Sequence, residues 1–231
     1  MLRSLLRIGL FAGLLAVFAG AVAAGTEMSR PVDRRALEAV ADREDSDTAE
    51  KLRAMAVCGS GFATKDMPDI LVACTIAYNH TLHGGEYEQA MRYALLGCEK
   101  YQSPGLCRRA GGLPLALGNQ GIVVPPAFRA AIQRAADAVC LSGKRFKTLN
   151  GVDVTARECN YYARLFSLAK DSEYIYALAP AALHFYESMY EPAHAARLYA
   201  AACQRLGSSA GCQFAKEMQA ALSSAVAGRT R

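Results

Sequence analysis

Ser167 and Lys170 are the residues of this sequence whose spacing comes nearest to a catalytic motif. They form an S-x-x-K pattern, in which a serine nucleophile lies one helical turn before a lysine. The pattern is the nucleophile motif of serine enzymes that react with β-lactams, which also carry K-T-G and S-D-N motifs. Neither supporting motif occurs in the chain. An ordinary helix surface is therefore the better interpretation, and an enzyme that binds or hydrolyses β-lactams or cell-wall peptides is kept as an alternative.

Two other pairs have spacings that occur in metal sites. His80 and His83 lie three residues apart, and Glu191 and His194 form an E-x-x-H pattern. A di-iron bundle needs a second E-x-x-H and further glutamates, and a zinc protease needs H-E-x-x-H. The sequence completes neither set, so we expect no metal site, no cofactor and a function other than catalysis.

Residues 1–24 have the pattern of a secretory signal peptide. Arg3 and Arg7 precede the apolar run IGLFAGLLAVFAGAVAA, which ends in small residues at Ala23 and Ala24. We therefore expect a periplasmic or secreted protein with no membrane span in its mature form. Removal of the two arginines lowers the formal net charge from +5 to about +3, which is too small to predict a nucleic-acid partner.

The eight cysteines all follow this segment, and an even number in an exported chain favours disulfides over metal thiolates. No C-x-x-C pair is present, so the sequence shows neither a zinc ribbon nor a thioredoxin-type redox centre. The cysteines are Cys58, Cys74, Cys98, Cys107, Cys140, Cys159, Cys203 and Cys212.

An internal repeat shows which elements position these cysteines. A shift of 105 residues aligns 86–117 with 191–222 at nine identities in 32 columns, and 105 is three times 35. A unit of about 35 residues fits a helix-turn-helix repeat. In each unit one cysteine lies near the end of the first helix and the next near the start of the second, so sequential pairing is predicted. The unit between Cys140 and Cys159 carries a longer insert.

Apolar residues recur at helical spacing through the body of the chain, and no alternating pattern indicates strands. The predicted fold is all-α, an α-α superhelix of about four disulfide-clipped helical hairpins, because one hairpin buries its apolar face only against a neighbour. The predicted divisions are a signal peptide at 1–24, a flexible leader at 25–46, the repeat domain at 47–222 and a flexible tail at 223–231.

Three segments resemble the Sel-like repeat family, a relative of the tetratricopeptide repeat, in its cysteine-rich exported bacterial branch. They are YEQAMRYALLGCEKYQSPGLC, GNQGIVVPPAFRAAIQRAADAVC and YEPAHAARLYAAACQRLGSSAGC, and the resemblance covers most of residues 50–222. It implies a helical solenoid that binds other proteins. Some members of that branch have been linked to penicillin binding or hydrolysis, which is why the S-x-x-K pattern matters.

Aromatic residues concentrate between 161 and 199, where a solenoid could display them on a concave face. Tyrosine suits interfaces because its ring is rigid and its tip is polar, and we expect Tyr161, Tyr174 and Tyr186 to be exposed and to bind. The expected function is a non-enzymatic module of the bacterial envelope that binds a protein or peptide. An immunity or inhibitor protein that neutralises a toxin or envelope enzyme is the sharper alternative.

Overall fold

The chain folds into successive antiparallel helix pairs in the computed structural model, which describes residues 46–167 and 180–229. Within these ranges no strand forms, and the one β-bridge joins Lys147 to Asp153. The helices are α1 (Ser46–Ser60), α2 (Ile70–His83), α3 (Tyr87–Glu99), α4 (Pro104–Asn119), α5 (Ala127–Cys140), α6 (Thr155–Ser167), α7 (Pro180–Met189), α8 (Pro192–Leu206) and α9 (Ser209–Arg229).

Stacking of the pairs follows a solenoid pattern, which confirms the predicted all-α superhelix. The first helices α1, α3, α5 and α8 each pack on the next, and the second helices α2, α4 and α6 each contact the first helix of the following pair. Alanines dominate the buried interfaces, as at Ala90, Ala94 and Ala135. Small side chains let helix axes approach closely, so each hairpin buries a face that it could not cover alone.

A disulfide closes each of the four corners, and the pairing is the sequential one that the repeat predicts. The bonds are Cys58–Cys74, Cys98–Cys107, Cys140–Cys159 and Cys203–Cys212. No cysteine is left as a free thiol. Each bond joins the last turn of one helix to the start of its partner, which fixes the corner covalently.

Side-chain caps define where the second helices begin. Asp69 accepts hydrogen bonds from the main-chain N–H groups of Leu71 and Val72, at 2.8 and 3.1 Å. Ser103 accepts from the N–H of Leu106, and Pro104 occupies the first turn of α4. These caps satisfy amide groups that have no partner within the helix, so the turn residues determine the start of each second helix.

Helix α7 departs from the pairwise pattern, because it packs on α4 and α6 instead of forming a corner of its own. Its Ala182 lies against Gly118 of α4, where an added Cβ would overlap the Cβ and the main-chain nitrogen of Ala182. Tyr186 of α7 donates to the main-chain oxygen of Gly111, at 3.3 Å. Gly111 and Gly118 therefore lie on the surface of α4 that contacts α7.

The two ends of the chain fall partly outside the described residues. The predicted signal peptide lies there, as does the predicted leader up to residue 45. Residues 223–229, for which the sequence predicts a flexible tail, continue helix α9. Of the helices in the described ranges, none has an apolar stretch long enough to cross a bilayer.

Replacing Gly118 by Ala should separate α7 from α4 and lower the free energy of unfolding by about 2 kcal/mol, because the new methyl group has no room. The matched control is Gly112→Ala in the same helix, where the nearest atom to an added Cβ is the Tyr161 hydroxyl oxygen at 3.8 Å. That variant should be neutral or up to about 1 kcal/mol more stable, because alanine favours helix over glycine. Chemical denaturation measures both, and equal effects would contradict the packing described.

Candidate binding groove

A cavity of about 890 Å³ opens where three of the hairpins meet. Its walls come from the first half of α2, the turn from Tyr101 to Gly105, the insert segment 145–150 and the start of α6. We call this cavity the groove. It combines exposed apolar side chains with a rim of cations, and each part is positioned by a specific contact.

The insert between α5 and α6 folds as a small hairpin held by one buried ring. Phe146 is fully buried, and its N–H donates to the hydroxyl of Thr155 at 2.9 Å. The N–H of Val154 donates to the oxygen of Phe146, and the N–H of Thr148 donates to the oxygen of Val152. The ring anchors the base of this hairpin, so its tip projects along the groove.

Asp153 and Thr155 join this hairpin to helix α6. The hydroxyl and the N–H of Thr155 both donate to one oxygen of Asp153, at 2.6 and 2.9 Å. These hydrogen bonds lower the pKa of Asp153, and the positive charges of Arg145 and Lys147 lower it further. Asp153 therefore stays ionised. It forms an ion pair of 3.4 Å with the Arg145 guanidinium at the groove rim.

Beneath the rim, a buried carboxylate holds two arginines in place. The side chain of Glu158 has no exposed surface, and the Arg108 Nε lies 2.9 and 2.8 Å from its two oxygens. Arg157 contributes a second contact, with its Nη2 3.0 Å from the carboxylate. Arg108 also lies over the ring of Tyr161, 5.6 Å from its centroid. A buried carboxylate needs such partners to remain charged, so Glu158 ties the groove floor to α4 and α6.

Apolar side chains also line the groove. Val72 of α2 is 49% exposed, and Leu149 at the hairpin tip is fully exposed. Tyr101 is half-buried, and its hydroxyl donates to the oxygen of Cys58 at 3.0 Å, which fixes the ring. A wall of this kind binds apolar side chains without reacting with them.

The polar side chains of the groove are carboxylates, cations, amides and hydroxyl groups. No histidine or cysteine is found among the described residues that line it. Two of its hydroxyl groups have structural roles, since Ser103 caps α4 and the Thr148 hydroxyl oxygen accepts from the N–H of Val152. In the part of the chain that the structure describes, no cluster of histidine, cysteine or carboxylate side chains could hold a metal ion.

Of the three tyrosines predicted to be exposed and to bind, the structure describes two, and the predicted exposure of Tyr186 is wrong. Tyr186 is 2% exposed, because its ring fills the interface between α7 and α4. Tyr161 is half-buried against Gly111. Tyr174 lies outside the described residues. Neither Tyr161 nor Tyr186 lines the groove, although Tyr161 supports Arg108, which does.

Ser167, the serine of the S-x-x-K pattern, is the last residue of α6. Its hydroxyl donates to the oxygen of Arg164 at 3.0 Å and lies 3.5 Å from the Tyr199 hydroxyl. Lys170 lies outside the described residues, so the lysine of the pattern has no described position. The serine side chain is bonded back to its own helix, as serines in helices commonly are.

The two pairs whose spacings resemble metal sites, His80 with His83 and Glu191 with His194, lie on different helices. His83 is exposed and His80 half-buried at the end of α2. His194 is buried in α8, where its ring meets Phe166 edge-on at 4.6 Å between centroids. The Arg197 Nη2 lies 2.7 Å from the His194 Nδ1. Because a guanidinium can only donate, Nδ1 accepts and Nε2 carries the proton of a neutral ring.

Burial lowers the pKa of His194, and the nearby Asp137 carboxylate opposes this effect. The Nε2 of His194 lies 3.7 Å from Oδ1 of Asp137, and in the described structure both atoms are buried without a hydrogen bond. His194 is therefore a core contact between α5 and α8, whereas Glu191 precedes α8 and is partly exposed, 3.4 Å from Arg129.

Sequence reasoning missed the groove, although one signal for it was present. The longer Cys140–Cys159 unit showed that extra residues interrupt the repeat, but not that they fold into a hairpin against α2. Searches of the chain against protein-family models, curated proteins and solved structures found no match.

Arg108→Met should lower the free energy of unfolding by about 2–3 kcal/mol, because it removes one of the two guanidinium partners of a buried carboxylate. The matched control is Arg134→Met, since the Arg134 Nη2 lies 2.6 Å from the partly exposed carboxylate of Glu99. That exposed ion pair should contribute less than about 1 kcal/mol. Urea unfolding measures the difference, and equal losses would contradict the burial assigned to Glu158.

Acid should weaken the α5–α8 interface through His194. Its folded-state pKa is below 6.5, so the unfolded chain takes up this proton first and stability falls as the pH drops through that value. The slope for one proton is at most about 1.4 kcal/mol per pH unit. His194→Gln should flatten this dependence as the pH falls from neutral through 6.5, measured by urea unfolding. A slope that survives this substitution would exclude His194 as its source.

Proposed function

We propose that this chain is an exported, non-enzymatic module of the bacterial envelope that binds a protein or peptide in the groove. Four disulfides favour an oxidising compartment, such as the periplasm or the cell exterior. Stacked helix pairs provide a rigid frame, and the groove provides a concave surface of mixed character. The lining combines apolar side chains with cations, a combination that suits recognition of a partner.

Membership of the cysteine-rich Sel-like repeats is part of this proposal. The four sequential disulfides and the contacts between successive first helices are what that resemblance implies. Solenoids of this kind commonly bind other proteins through surfaces that span several repeats. The groove fits that description, because α2, α4 and α6 belong to three different pairs.

The observation that carries the proposal is the exposure of Leu149. A leucine with its whole side chain in solvent, at the edge of a cavity lined by Val72 and Ile76, has an apolar surface that a partner could cover. Clusters of exposed apolar residues beside a cavity often mark binding sites. An immunity or inhibitor protein is one version of the same proposal, because it too must bind a protein partner without altering it.

Site-specific photocrosslinking tests this proposal in cells that produce the protein naturally. A benzophenone amino acid at position 149 should give discrete adducts with a partner, because this side chain lies at the groove. The matched control is position 123, where Val123 is 82% exposed but does not line the groove. Adducts at neither position, or the same adducts at both, would contradict the assignment of the groove as the binding site.

A further inference from the structure

The insert hairpin has a free backbone edge. Lys147 and Asp153 face each other, and the flanking hydrogen bonds run from Val154 to Phe146 and from Thr148 to Val152. In this arrangement the N–H and C=O of each central residue point away from the partner strand. Within the described residues the main-chain groups of Lys147 make no hydrogen bond. An unpaired edge of this kind can accept another strand.

This edge belongs to the segment that lines the groove. Arg145 and residues 147–150 contribute to the lining, whereas residues 151–154 do not. The side of the hairpin that borders the groove is therefore the side of Lys147. An extended peptide lying in the groove would run beside a main-chain donor and acceptor.

The charged side chains of the groove indicate which charge its peptide ligand should carry. The lining side chains include four cations, Arg108, Arg145, Lys147 and Arg157, and two carboxylates, Asp69 and Glu158. Both carboxylates are engaged, since Asp69 caps α2 and Glu158 is buried beneath two arginines. Lys147 is exposed and forms no ion pair with any described residue. Arg108 and Arg157 are paired with Glu158, and Arg145 with Asp153. Among the described residues, Lys147 is therefore the lining cation that remains unpaired and available to an acidic ligand.

We propose that the occupant is an acidic, extended peptide segment of a partner protein, which adds a strand to the Lys147 edge. Its main chain pairs with Lys147, its carboxylates lie beside Lys147 and Arg145, and its alternate apolar side chains face Val72 and Leu149. Successive side chains of a strand point to opposite faces, so one segment can meet both walls. This inference rests on the proposed function and specifies the ligand of the same groove.

Two substitutions at one position separate the contributions of the backbone and of the charge. Lys147→Gln removes the cation and keeps the N–H, whereas Lys147→Pro removes both. Proline is tolerated at an unpaired edge position, because no bond within the protein uses that N–H. Lys144→Gln is the matched control for charge, since Lys144 is also exposed but donates to the oxygen of Glu99 and does not line the groove.

The probe is a displayed library of random nonapeptides, panned against the oxidised mature protein. Enriched peptides should carry more Asp and Glu than the input, with apolar residues at alternate positions. Lys147→Gln should weaken their binding roughly fivefold, and Lys147→Pro should weaken it by roughly a further fivefold through the lost hydrogen bond. Lys144→Gln should change it less than about twofold, because this charge lies away from the peptide. Circular dichroism and thiol titration verify that each variant is folded and oxidised.

The outcomes separate this inference from the proposed function. Neutral or basic enriched peptides, equal binding by the two Lys147 variants, or no enrichment at all would overturn the acidic strand. Displacement of the selected peptides by an oligothymidine that binds more tightly would also overturn it, in favour of a nucleic acid. Adducts at position 149 would still support a partner in the groove in each of these cases, whereas their absence would count against the proposed function itself.

Discussion

The covalent link at each helical corner is the constraint on which this structure depends. A helical pair of about thirty residues has little apolar surface of its own, and its stability depends on its neighbours. In the chain-entropy model, closing a loop of about ten residues stabilises the folded state by roughly 2 to 3 kcal/mol. This is comparable to burying one large side chain. Because each bond lies within one pair, it fixes the angle between two helices and leaves the stacking between pairs to side-chain packing.

Because the disulfides act within pairs and packing acts between pairs, the third corner can contain a longer loop. Cys140 and Cys159 are separated by 19 residues, whereas the second and fourth bonds each span nine. The additional residues between α5 and α6 build the small hairpin, which is hydrogen-bonded to Thr155 at the start of α6. Phe146 then anchors this hairpin in the core, and Glu158 secures the arginines below it. Part of the groove lining is thus built at the corner with the longest separation between its cysteines.

The sequence was sufficient to predict the regular part of the fold. Matched cysteines at a spacing of 105 residues predicted the pairing, because repeats place equivalent residues at equivalent corners. Helix α7 and the groove could not be predicted in this way, since both depend on contacts between segments distant in the chain. Tyr186 shows the difficulty, because a tyrosine suited to an exposed interface fills an internal gap equally well. Glu158 gave no signal either, since its burial depends on Arg108, which lies 50 residues earlier.

The disulfide between Cys140 and Cys159 also joins α5 to α6 directly, so the relative position of the two helices does not depend on the length of the loop between them. Residues 141–154 can therefore be exchanged for other sequences while α5 and α6 keep their relative position, provided that a buried anchor equivalent to Phe146 remains. This arrangement makes the third corner a natural graft site. New surface residues can be introduced there on a scaffold that stays the same.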